Sequence, residues 1–192
     1  MISPMRVDRM RTNMGEYVLS IRTLRDSDDS PLELDVRAGD LVRIDGADAS
    51  LVLARIAAVG RRYRASIRFA GYEIASWPQT RIVQAGCVRV TALHPGFLMQ
   101  SVLEIVLAGA FVRRRDPRVA LCVAREELER CGLAGRADAR AESLDPVERI
   151  RVSLARALAT QPRLVLVDAA ASVLDDGALR AAVGAGPTIV RA

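Results

Sequence analysis

Leu164-Val165-Leu166-Val167-Asp168 is the stretch of sequence that decides the fold. Four apolar residues end in a single carboxylate, and a helical pattern from Pro146 to Ala159 precedes them. A helix, a short loop, a buried strand and a terminal acid in this order are typical of a parallel α/β sheet, which presents the acid at its ligand-binding edge. The sequence therefore predicts an α/β domain built on a parallel sheet.

The helix before this strand begins with Ser143-Leu144-Asp145-Pro146-Val147-Glu148, and Gln161-Pro162-Arg163 leads from the helix into the strand. Together these segments resemble the signature helix and the Walker B strand of the ATP-binding cassette (ABC) ATPases. The resemblance extends from about Tyr17 to Val190. It implies a P-loop NTPase-like parallel sheet core with an antiparallel β piece and a helical lobe, as in a truncated ABC nucleotide-binding domain. We expect an N-terminal extension at 1–13 and one domain at 14–192, with the helical lobe at about 98–145.

Alternating and continuous apolar patterns predict the remaining elements. Strands are expected at 17–24, 32–36, 41–44, 65–69, 72–74 and 188–190. Helices are expected at 51–59, ending at Gly60, and at 176–183. The pattern from 101 to 140 is helical, and its clearest stretch, 124–131, is expected to end at Gly132.

The chain contains no lysine, so all 28 of its basic residues are arginines. A Walker-type phosphate loop uses a lysine and several glycines to hold phosphate. The corresponding loop keeps only Gly46, is about three residues short by comparison with the family, and has Ala49 near the lysine position. Asp48 lies where the next helix begins, and a carboxylate there can accept the free helix amides. We expect Asp48 to cap this helix and to repel phosphate.

The start of the signature helix departs from the family in the same direction. The resemblance implies Ser-Gly-Gly there, whereas this chain has Asp145-Pro146-Val147 followed by Glu148. Asp at the N-cap, Pro at the first position and Glu at the third predict a helix that caps itself.

Further departures lie around the Walker B acid, Asp168. Ala169 stands where the family has the glutamate that polarises the attacking water, and Ala92 falls near the Q-loop glutamine. His94, the only histidine, is expected to be a turn residue, and no histidine follows the last strand at the position of the family's switch histidine.

These departures lead to the hypothesis that the chain is not an enzyme but a catalytically inactive ABC ATPase-like subunit with no cofactor. We expect it to be a structural or regulatory partner in a bacterial assembly, most simply an ABC transporter complex, with an active ABC ATPase, a membrane subunit or a second copy as its partner. The predicted contact residues keep the family pattern, and they are Leu103, Glu104, Ser172, Leu174 and Asp175. Three alternatives stay open: a residual nucleotide-binding subunit, a basic nucleic-acid or membrane-surface module, and a decayed subunit.

Composition bears on these alternatives. The net charge is +5, with arginine clusters at 61–68 and 113–118, but aromatic residues are only 4% of the chain and offer few stacking platforms for nucleic acid. No apolar run reaches membrane-spanning length. We expect a protein that is cytoplasmic or peripheral at the inner face of the cell membrane, with three cysteines that pack as reduced thiols.

Overall fold

The computed structural model describes residues 6–10, 17–25, 31–46, 48–58, 65–168 and 174–192. The chain divides into two compact units. The described residues of the first unit lie within Met1–Arg89, Arg163–Ser172 and Ala185–Ala192, and those of the second lie within Val90–Pro162 and Val173–Gly184.

The strands are β1 (Arg6–Met10), β2 (Tyr17–Arg25), β3 (Pro31–Arg37), β4 (Leu41–Asp45), β5 (Ser66–Phe69), β6 (Tyr72–Glu73), β7 (Cys87–Val90), β8 (Leu164–Val167) and β9 (Thr188–Arg191). The α-helices are α1 (Ala49–Ile56), α2 (Gln79–Ala85), α3 (Val102–Ala110), α4 (Pro117–Arg130), α5 (Pro146–Ala159) and α6 (Asp176–Val183). Short 3-10 turns occupy Pro95–Phe97, Ala134–Arg136 and Ala141–Ser143.

The strands form two sheets. The five-stranded sheet has the order β1-β4-β9-β8-β7, in which β9 pairs in parallel with both β4 and β8 while β1 pairs with β4 antiparallel. The four-stranded sheet has the order β3-β2-β5-β6 and its strand pairs are antiparallel. A parallel core with a separate antiparallel sheet confirms the predicted fold class.

An apolar core holds the described residues of the first unit together. All four residues of β8 are buried, as expected of a central strand covered on both faces. Alternate residues of β3, namely Leu32, Leu34 and Val36, point into the same core. Helix α1 adds Val52, Leu53 and Ile56 to it. This packing fixes the first turn of α1 and the carboxyl end of β8.

The second unit is a bundle of helices in which α3, α4 and α5 pack on one another. Helices α3 and α5 come close at Gly109, where an added Cβ would overlap the carbonyl oxygen of Arg156. The half-buried guanidinium of Arg156 lies 4.8 Å from the centre of the Phe97 ring, and burial lowers the pKa of this arginine.

Most of the predicted elements are present. Helices α5 and α6 have the predicted bounds, and α4 ends before Gly132, whose φ of +72° is the left-handed value expected at a helix end. Helix α1 begins at Ala49, two residues earlier than predicted, and it ends at Ile56, three residues before the predicted end at 59. Gly60 itself lies outside the described residues. Three elements were not predicted: α2, β7, and β1 within the expected extension at 1–13.

Membrane crossing was tested on the described helices alone. None of them is both long and apolar enough to cross a bilayer.

Candidate functional site

Three side chains of the first unit meet at the end of β8. Asp168 directly follows this strand, Ser50 lies in the first turn of α1, and Arg89 belongs to β7. The Ser50 hydroxyl donates a hydrogen bond to Oδ1 of Asp168, and Nη2 of Arg89 donates to Oδ2 of the same carboxylate. Each carboxylate oxygen therefore accepts a hydrogen bond from a different element.

The Arg89–Asp168 ion pair is largely shielded from water. The side chains are 16% and 11% exposed, respectively. Nη2 of Arg89 also lies 3.5 Å from the carbonyl oxygen of Ser50. Because screening is weak in such surroundings, loss of one partner would leave a buried charge without compensation, at a cost of about 3–5 kcal/mol.

The loop between β4 and α1 differs from expectation at Asp48. Gly46 has a φ of 138°, which only glycine adopts readily. Asp48 does occupy the N-cap position of α1, but its side chain makes no capping hydrogen bond there. The expectation that Asp48 caps this helix is therefore wrong. Ala49 is 4% exposed and packs into the core through its methyl group.

The start of α5 is capped as predicted. Oδ1 of Asp145 accepts from the Glu148 amide at 2.7 Å, and Oε2 of Glu148 accepts from the Asp145 amide at 3.1 Å. Pro146 occupies the first turn, where its missing amide costs nothing. Nε of Arg136 donates to Oε1 of Glu148 at 3.0 Å, which fixes this carboxylate from the outside.

The predicted contact residues have other roles as well. Leu103 is partly exposed, and Glu104 is exposed but forms a capping box with Ser101 at the start of α3. Leu174 is only 6% exposed, which limits its use as a contact residue. Asp175 is exposed and caps α6, because its Oδ1 accepts from the Ala178 amide at 2.7 Å. Its replacement by arginine would remove that cap.

Two predicted site residues, Ala169 and Ser172, lie outside the described residues. Ala92 is exposed. His94 is a turn residue as predicted, since its Nδ1 accepts from the Gly96 amide at 3.0 Å. Among the residues that the structure describes, no three His, Cys, Asp or Glu side chains come together as a metal site.

Two side chains of the site were missed by the sequence analysis. Ser50 directly follows Ala49, which stands near the lysine position, so the family spacing itself could have singled out Ser50 as a candidate site residue. Arg89 had no comparable signal, because its strand was not predicted and 27 other arginines surround it in the sequence.

Part of the second arginine cluster is engaged within the protein. Nε of Arg113 donates to the Thr160 carbonyl at 2.6 Å, and Nη2 of Arg114 donates to Oε1 of Gln161 at 2.7 Å. These bonds tie the loop after α3 to the end of α5, so the two guanidinium groups stabilise the bundle. Residues 61, 62 and 64 of the first cluster lie outside the described residues.

The cysteines follow the prediction in part. Cys87 and Cys131 are buried, and burial raises the pKa of each thiol to about 12. Cys122 is exposed, so the expectation that all three pack inside is wrong for this residue.

The chain is similar in sequence to ATP-binding proteins of transport systems. No protein-family profile matches the chain. It is 34% identical over 155 residues to the lipoprotein-releasing system ATP-binding protein LolD of Chromohalobacter salexigens, covering 75% of this chain and 63% of that protein. It is 32% identical over 155 residues to LolD of Myxococcus xanthus, with 75% and 67% covered. The L-cystine transport system ATP-binding protein TcyN of Escherichia coli is 29% identical over 155 residues, with 75% and 62% covered. The chain thus spans slightly less than two thirds of the first of these relatives.

Solved structures show the same fold. The ATP-binding cassette of an ABC transporter in its ADP conformation superposes with a TM-score of 0.74 at 18% identity, covering 92% of this chain and 80% of that one. The CbiO1 protein of Clostridium perfringens, part of an ABC transporter complex, superposes with a TM-score of 0.72 at 18% identity, covering 91% and 77%.

The names of the relatives require one correction. They are ATP-binding proteins of transport systems, a class of ATPases. This finding contradicts the expectation that the chain is not an enzyme, which rested on the residues at single motif positions.

Proposed function

Since this chain belongs to the ATP-binding subunits of ABC transporters, we propose that it is the cassette subunit of a bacterial membrane transport complex. On the cytoplasmic side of the membrane it partners a membrane subunit and a second cassette. The names of its relatives support this assignment, because these relatives belong to systems that release lipoproteins, transport L-cystine or import molybdate and tungstate.

The contact of Ser50 with Asp168 is the observation that carries the proposal. In P-loop ATPases the hydroxyl of the phosphate loop and the Walker B carboxylate meet at the end of a central parallel strand. Here α1 supplies the hydroxyl and the end of β8 supplies the carboxylate. This contact supports a nucleotide site at the end of β8, although Ala49 stands near the lysine position.

A magnesium ion is the cation that P-loop ATPases hold between these two groups. The residues of this chain do not fit such an ion in the described arrangement. Oδ2 of Asp168 accepts from the Arg89 guanidinium and Oδ1 accepts from Ser50. A cation bound to Oδ2 would meet the positive charge of Arg89, so the guanidinium would first have to withdraw.

We place the partner contacts on two exposed helix starts, Leu103 and Glu104 at α3 and Asp175 at α6. Exposure of both carboxylates supports this placement. The alternative of a basic nucleic-acid module loses support from Arg113 and Arg114, which are bound to the end of α5.

Purification from native membranes tests the proposal. The tagged chain is extracted in mild detergent from its own host and washed at about 0.5 M salt, which screens non-specific arginine contacts. We expect a membrane protein with several spanning helices, together with either a second copy or another cassette, in a complex of defined mass. Recovery of the chain alone, or with nucleic acid that the salt removes, would contradict the proposal.

A further inference from the structure

The cation next to the Walker B carboxylate is part of this chain. We propose that the guanidinium of Arg89 takes the place of the divalent metal ion at Asp168, so that the site is charge-balanced without magnesium. The inference rests on the proposed function only in treating Asp168 as the family's metal-side acid.

The position of Arg89 in the sheet supports this inference. Arg89 reaches Asp168 from β7, a strand of the same five-stranded sheet, so the backbone of the sheet holds it in place. It binds Oδ2, while the Ser50 hydroxyl binds Oδ1. A metal ion held between the hydroxyl and the carboxylate would need the space and the lone pairs that these two hydrogen bonds use.

The charges of Asp168 and Arg89 support the inference as well. Asp168 is 8% exposed, and a carboxylate buried to this degree requires a compensating positive charge. The Arg89 guanidinium supplies one unit of positive charge. A divalent ion added beside it would meet a fixed guanidinium in surroundings of weak screening, where like charges repel strongly.

The Arg89 guanidinium also keeps a hydrogen-bond donor that its bond to Asp168 does not use. Nε of Arg89 is buried and has no hydrogen-bond partner among the described residues. Guanidinium groups bind phosphate oxygens through parallel N–H donors. The N–H donors of Arg89 thus lie beside Asp168, where P-loop ATPases offer a metal ion.

Manganese titration tests the inference without nucleotide or partner. Mn²⁺ binding is measured by electron paramagnetic resonance for the unmodified protein and for the Arg89→Gln, Asp168→Asn and Arg89→Gln/Asp168→Asn variants. We expect the unmodified protein to show no Mn²⁺ binding that depends on Asp168. Arg89→Gln should bind Mn²⁺ at least tenfold more tightly, and the added Asp168→Asn change should abolish this gain. Arg68→Gln, which removes an exposed arginine of the same unit, is the matched control and should bind no better than the unmodified protein.

Two outcomes would overturn the inference. One is Asp168-dependent Mn²⁺ binding by the unmodified protein that equals binding by Arg89→Gln, and the other is a folded Arg89→Gln variant without any gain. If Arg89→Gln does not fold, the comparison of the unmodified protein with Asp168→Asn decides, because any Mn²⁺ signal lost in Asp168→Asn excludes a resident guanidinium. Failure to recover a membrane partner would overturn the proposed function instead, and it would not change these titrations.

Discussion

At the scale of single residues, Glu127 of α4 is an acidic side chain in an unfavourable, almost fully buried position. Its side chain is almost fully buried, its Oε2 accepts no hydrogen bond among the described residues, and Nε of Arg130 lies 3.5 Å away. Burial raises the pKa of this carboxyl above its ordinary value of 4.5, against the opposing effect of Arg130. Compared with the unfolded chain, the folded protein therefore disfavours the charged form of this carboxyl.

This shift predicts a pH-dependent gain from Glu127→Gln. Because the pKa of Glu127 is higher in the folded protein than in the unfolded chain, the native state loses stability as the pH rises from 4.5 through the pKa of the folded state. Above that pKa the whole loss of stability applies. Glutamine carries no charge, so the variant should be more stable by about 1 kcal/mol at pH 8, and this gain should disappear near pH 4. Urea unfolding across this pH range measures the difference. Glu126→Gln, a change at the exposed neighbour, should show no such trend.

At the same scale, the sequence located Asp168 but not what surrounds it. The acid was found because four apolar residues precede it, and strand pattern is a local property. Its partners Ser50 and Arg89 are 118 and 79 residues away in the chain. Only the three-dimensional arrangement of β7, β8 and α1 brings these residues together, so no local pattern could predict the ion pair.

At the scale of elements, the capping box of α5 is the feature predicted best, since all its contacts lie within four consecutive residues. Asp145→Ala removes the acceptor for the Glu148 amide and should lower the free energy of unfolding by about 0.5–2 kcal/mol. Thermal or urea unfolding measures the loss. Glu142→Ala is the matched control, because it removes an exposed carboxylate that lies just before the helix and caps nothing among the described residues. Equal losses in the two variants would mean that charge alone, rather than the cap, stabilises the helix.

The contact of α3 with α5 gives a second prediction at this scale. A methyl group at Gly109 would overlap the backbone of Arg156, which cannot move without shifting α5. Gly109→Ala should therefore destabilise the protein by about 1–3 kcal/mol, although alanine alone favours a helix. Gly135→Ala is the control, because a Cβ there meets nothing within 4 Å. A stability of Gly109→Ala at or above that of the unmodified protein would mean that the two helices separate at little cost.

Elements differ in how well the sequence predicted them. Helix α5 has a capping signal, an apolar face and a short loop to β8, and these agree with one another. Strands β1 and β7 are short and carry arginines, and they are strands because β4 and β8 offer neighbouring edges. Tertiary pairing of this kind overrides weak local preference.

At the scale of the whole molecule, basic charge comes from arginine alone, and several arginines serve internal contacts. Arg113, Arg114, Arg136 and Arg149 donate to backbone or side-chain oxygens of the helical unit. The net charge of +5 therefore overstates how much positive charge is available to a partner. An acidic side chain exposed at a helix start is then a more selective probe of the proposed partner surface.

Asp175 provides that probe, provided that its capping role is preserved. Asparagine caps a helix nearly as well as aspartate, so Asp175→Asn should keep the bond to the Ala178 amide while it removes the charge. We expect unfolding stability within about 0.5 kcal/mol of the unmodified protein, and a dissociation constant for the membrane complex raised about two- to tenfold, because charges at an interface set affinity more than folding. Asp116→Asn is the matched control, since Asp116 is also exposed and caps α4 through the Arg118 amide. Binding by surface plasmon resonance to the purified complex partner measures both variants. Equal affinity of Asp175→Asn and Asp116→Asn would mean that the partner contact does not lie at the start of α6.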